Sequence, residues 1–134
     1  MRIKHRIACT LAFSGALLAM PAMAADVYVI ANSAVTLADE DVRDVFVGDK
    51  QVASGTKLVP IDNASLQKDF LEKVLKIDAP KYSNIWTKKG FRDGINPPAV
   101  KSSDAEVISS VKSTPGTVGY VSKAPADVKV IKKY

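Results

Sequence analysis

The chain has 134 residues, with 19 lysines and arginines against 14 aspartates and glutamates, and a single histidine and cysteine that both lie near the N-terminus, His5 and Cys9. Without either residue type further on, the rest of the chain cannot be a Ser-His-Asp hydrolase, a thiol enzyme, a disulfide oxidoreductase or a typical zinc site. The basic residues are spread along the chain, with no block dense enough for nucleic acid.

Arg2, Lys4, His5 and Arg6 form a positive start, Ile7 to Met20 an apolar stretch, and Ala22-Met23-Ala24 supplies small residues at both recognition positions of a cleavage site. That pattern is a secretory signal peptide over residues 1–24, cleaved after Ala24. The apolar run falls short of the ~20 residues a membrane-spanning helix needs. Cys9 precedes the run, which argues against a lipoprotein cysteine. The expected location is the periplasm. Loss of Arg2, Lys4 and Arg6 takes the basic count from 19 to 16 against 14 acids, a net charge of +2. Roughly 110 residues remain, 25–134, which suits one domain able to fold without staples.

The elements then follow in order. Val27-Tyr28-Val29-Ile30-Ala31 is β-rich and nearly all apolar, which predicts a buried first strand. Asp39-Glu40-Asp41 places three carboxylates where a helix macrodipole favours them. Val42, Val45 and Phe46 follow at i, i+3, i+4, and Gly48 ends that helix. Ser54-Gly55-Thr56 reads as a turn. Lys57-Leu58-Val59-Pro60-Ile61 predicts a second strand that Pro60 confines to an edge or a strand end.

Ser65 is the expected N-cap of a helix with Leu66, Phe70, Leu71, Val74 and Leu75 on one face. Pro80 opens another helix, with Tyr82, Ile85 and Trp86 as its apolar side and Lys88-Lys89-Gly90 as its end. Phe91 to Val100 reads as an irregular loop. Ser103-Asp104-Ala105-Glu106 matches the capping box ahead of Val107, Ile108 and Val111, and Thr114-Pro115-Gly116 stops that helix. Thr117–Val121 is a third strand and Val128–Ile131 a fourth. Helices alternating with short apolar strands give an α/β fold, three-layered, with a mainly parallel sheet flanked by helices.

Asp41-Val42-Arg43-Asp44-Val45-Phe46-Val47-Gly48 resembles the "ELRDIFLGK" segment of phosphate-type substrate-binding proteins of ABC importers. Thr114-Pro115-Gly116-Thr117-Val118-Gly119-Tyr120-Val121 resembles their "TPGAIGYV" segment, and Phe91 to Pro98 has the length of the family loop between an aromatic residue and a double proline. The resemblance runs from about Val27 to Val121 and covers one lobe of a type II periplasmic binding protein. Full members are roughly twice as long, with two lobes closing on the ligand. The resemblance implies binding of phosphate or a related small oxyanion for ABC import or sensing. The implied partners are importer membrane subunits or another envelope protein, and a homodimer would restore the missing half of the clamp. The family's Ser-Gly-Thr at a helix N-terminus, with its preceding arginine, corresponds here to Ile61-Asp62-Asn63-Ala64-Ser65-Leu66. Ser65 stands in for the serine; the Gly-Thr pair and the arginine have no counterparts.

The candidate anion seat is therefore the helix start at Ser65, where free amides and the dipole attract negative charge. Ser65, Asn63 and the Leu66 amide would donate; Asp62 would repel a fully ionised anion, yet can accept a proton from hydrogen phosphate and so reject sulfate. The plainer reading makes Asp62 and Asn63 an Asx-turn and Ser65 an ordinary cap. Lys88, Lys89 and Arg92 would add cationic contacts, or else form a solvated helix end. Tyr120 either lines a cleft at a strand's carboxyl end or packs in the core. Asp39-Glu40-Asp41 lacks the oxygen-rich loop of a calcium site and reads as helix-start electrostatics. No constellation points to catalysis, a metal or a cofactor, so the expectation is a binding protein and not an enzyme. The alternative is a periplasmic interaction module that keeps the fold without the ligand.

Overall fold

In the computed structural model, which describes residues 25–134, a five-stranded sheet carries helices on both faces. The leader expected over residues 1–24 lies outside the described residues. Strand β1 (Tyr28–Ala31) leads through a 3-10 turn (Asp39–Asp41) into α1 (Val42–Phe46), and a hairpin of β2 (Val52–Ala53) and β3 (Thr56–Lys57) precedes β4 (Val59–Asn63). Helix α2 (Gln67–Phe70) continues as a π-helical turn (Leu71–Leu75), followed by α3 (Ala79–Asp93). Then come β5 (Ala99–Lys101), α4 (Asp104–Ser113), β6 (Thr117–Val121) and β7 (Lys129–Lys133).

The sheet order is β5-β4-β6-β1-β7. Strand β4 is parallel to both β5 and β6, whereas β1 is antiparallel to both β6 and β7. Four strands thus point one way and β1 alone runs against them, so the sheet is mostly parallel in strand direction. Helices on both faces of such a sheet make the α/β class expected from the alternation of elements.

The two-residue period of the strands sorts side chains between two cores. Val29, Ala31, Val118 and Tyr120 face Phe46, Phe70, Leu75 and Trp86, contributed by α1, α2, the π-helical turn and α3. Ile30, Ile61 and Val121 face Val107 and Val111 of α4. The sheet sits close under α4 because β6 carries Gly119: a Cβ there would lie 2.6 Å from Val107 Cγ1. Gly116 turns the chain into β6 at φ +83°, and a Cβ there would lie 2.0 Å from the Lys57 carbonyl oxygen. Only glycine satisfies both conditions.

Several expected boundaries are corrected. Ser65 is not the N-cap; the helix starts at Gln67, and Leu66 occupies the cap position without a side-chain bond. The Asn63 side chain accepts from both the Ser65 amide and the Ser65 hydroxyl, closing an Asx-turn before the helix begins. Helix α3 does not end at Gly90 but runs to Asp93 and is closed by Gly94 at φ +66°. The expected loop from Phe91 to Val100 contains a strand, β5, paired in parallel with β4. Strand β4 lies second in the sheet and not at its edge, so of the two places expected for Pro60 the strand end is the one it takes: it is the second residue of β4, and pairing with β5 begins only at Ile61. The turn at Ser54-Gly55 closes the β2/β3 hairpin, with φ of +49° and +78° as a type I′ turn requires.

Candidate functional site

The chain leaves β4 through α2 and α3 to reach β5 on one side, then crosses by α4 to β6 on the other. Open α/β sheets bind ligands at the carboxyl ends of strands where the connections diverge in this way. Here those ends carry Asp62 and Asn63 of β4 and Tyr120 of β6. Asp62 points to the α3 side and Asn63 to the α4 side, as strand alternation dictates.

Asp62 is 2 % exposed. Its Oδ1 accepts from the Tyr120 hydroxyl at 2.8 Å and its Oδ2 from the Tyr82 hydroxyl at 2.9 Å. Burial raises the carboxyl above its ordinary value, against the pull of the two phenols and of the Gln67 side chain. Burial and the neighbouring Asp62 charge push both phenols up in turn. Two O–H donors on one carboxyl suit its ionised, acceptor-only form. Tyr120 is fully buried, stacked on Phe70 with ring centroids 3.9 Å apart. Of its two expected roles, packing is the one its position fits, and its hydroxyl reaches Asp62 from the core.

Asn63 is also fully buried. Its amide donates to Asp104 Oδ1 at 2.7 Å and to the Tyr120 carbonyl at 3.1 Å, while its oxygen accepts from the Ser65 amide and hydroxyl. Asp104 Oδ2 accepts from the Ser122 amide and hydroxyl. The ends of β4 and β6 are thereby tied to the start of α4. Among the described residues no buried side-chain nitrogen or oxygen lacks a partner.

A cleft of about 720 Å³ opens on the α3 side of Asp62, walled by Tyr82, Trp86, Phe91, Pro97 and Val100. Phe91 is 90 % exposed and Val100 60 %. Among the described residues that line this cleft, Asp62 is the only carboxylate and there is no lysine or arginine. Beyond the loop at Ile95–Pro98 a second cleft of about 460 Å³ carries Lys50 and Lys57, but it borders Val59 and Pro60 at the opposite end of β4.

The residues singled out in the sequence thus divide. Asp62, Asn63, Ser65, Leu66 and Tyr120 gather around the carboxyl end of β4, and of these only Asp62 lines the cleft. Lys89 is buried and bonded to Asp49, while Arg92 is exposed and paired with its neighbour Asp93 at 3.1 Å. Neither lines the cleft. Asp39 pairs with Lys132 and Asp41 with Lys50, and no metal-holding cluster occurs among the described residues.

No protein-family model matches the chain, and no curated protein matches it. Two contributors escaped the sequence reading. Tyr82 carried the periodicity of a core residue, which hides the work of its hydroxyl. Asp104 stood inside a capping box; Ser103 does accept from the Glu106 amide, but the Asp104 carboxylate anchors Asn63, a residue 41 positions away.

Proposed function

We propose that the protein is an exported, single-lobe solute-binding module, with the cleft above Asp62 as its binding site. The observation that carries this reading is the cleft itself: about 720 Å³, largely apolar and aromatic, with one buried carboxylate beside it at the strand ends. Ligand sites have this size, lining and place in the fold. Delivery to an importer or a sensor in the envelope belongs to the same proposal.

The ligand class is read from the cleft rather than from the resemblance. Among the described residues, a phosphate-like oxyanion would meet a carboxylate there and no cation. At the helix start the Asn63 and Ser65 side chains are already bonded to each other. A second reading, docking of an envelope protein, is favoured by the exposure of Phe91 and Val100 beside β5 at the edge of the sheet.

Thermal unfolding with a solute panel tests the proposal. A ligand at 100 times its Kd adds ~2.7 kcal/mol, which raises Tm by about 10 °C or more in a domain of this size. The expected result is a rise with a small solute that Phe91→Ala reduces, and none with millimolar phosphate. A rise with phosphate that Ser65→Ala abolishes would restore the oxyanion seat. No rise with any solute, together with co-purification of a defined envelope protein, would favour the docking reading.

A further inference from the structure

We propose that the cleft takes a small organic cation, an ammonium group on an apolar body of about aromatic size. This rests on the reading of the cleft as the binding site and names the chemistry it selects.

Three observations converge on it. First, the charged group available is a carboxylate. Asp62 borders the cleft, and each of its oxygens accepts one phenolic O–H. A carboxylate oxygen can accept a second bond, so the N–H donors of an ammonium ion find acceptors already oriented by Tyr82 and Tyr120. Second, among the described residues nothing else in the cleft competes for that charge, because none of its lining residues is a lysine or arginine. An anionic ligand would be repelled by Asp62, and a neutral one would leave its charge uncompensated in a poorly hydrated corner. Third, the walls suit the remainder of such a ligand. Phe91, 90 % exposed, and the largely buried Tyr82 and Trp86 line the cleft with aromatic rings, a residue class that attracts cations, and Pro97 and Val100 offer apolar contact.

Trp86 is the only tryptophan in the chain and lines the cleft, so its emission reports occupancy directly. The test is a fluorescence titration of the purified protein with benzylamine, benzyl alcohol and benzoate, three probes of one body and different charge. The expected result is saturable binding of benzylamine at least tenfold tighter than benzyl alcohol, with no response to benzoate. Asp62→Asn should erase the preference for the amine, and Phe91→Ala, at an exposed position that leaves folding intact, should weaken amine binding severalfold. The ratio of amine to alcohol needs no variant and decides alone if Asp62→Asn does not fold. Equal binding of amine and alcohol would overturn the cation proposal while leaving the cleft as a solute site. No saturable response to any of the three would overturn both.

Discussion

Taking a carboxylate out of water is costly unless donors replace the water, and Asp62 receives one phenolic hydroxyl on each oxygen. Burial nonetheless leaves its carboxyl raised above 3.8. Between 3.8 and the raised value the folded chain therefore binds more proton than the unfolded chain, and the contribution of Asp62 to stability declines as pH rises through that window. The difference in Tm between wild type and Asp62→Asn should accordingly move against the wild type as pH rises above 3.8, then level off. A difference that stays constant with pH would contradict the raised value. Tyr120→Phe removes one of the two donors while keeping the ring on Phe70. Urea unfolding should report a loss of about 1–3 kcal/mol, the usual consequence of leaving a buried polar group without its partner.

At the level of elements, the approach of α4 to the sheet is set by a missing side chain. A methyl at position 119 would lie 2.6 Å from Val107 Cγ1 and 3.1 Å from Ile61 Cγ1. Gly119→Ala should destabilise by about 1–3 kcal/mol, as overpacked cores do. Val107→Ala vacates the space that methyl needs. The double variant should therefore be more stable than the sum of the two single losses, a coupling that denaturant unfolding of all four proteins measures. Strictly additive losses would mean that the strain at Gly119 is relieved elsewhere.

For the whole molecule, β1 and β7 close one side of the sheet, and Val27 and Tyr134 exchange backbone hydrogen bonds at 3.2 and 2.8 Å. Expression of the full sequence followed by mass analysis of the envelope fraction should give a species beginning at Ala25. A species that retains residues 1–24 would contradict the leader reading. The mass of that species in solution also tests whether two copies assemble into a clamp, with a monomer expected if the Asp62 cleft suffices by itself.

The α/β class was legible because it follows from local pattern. Short, β-branched apolar runs such as Val27–Ala31 and Thr117–Val121, bounded by turn residues, favour a buried strand over a helix, and the spacing of Phe70, Leu71 and Leu75 marks a helix face wherever that helix lies. Gly48 and the Ser103 box announced their roles from a few residues. Strand β5 did not: Ala99, Val100 and Lys101 are a strand only because Ile61, Asp62 and Asn63 run beside them. Nor did the site. Whether Ser65 caps the helix or answers Asn63 is settled two positions away, but whether Tyr82 merely fills space or holds a carboxylate depends on Asp62, 20 positions away and on another element. The sequence by itself determined which segments bury and in what period. The tertiary structure decided what the polar groups do, because hydrogen bonds and charge act over ångströms in space and leave no period along the chain.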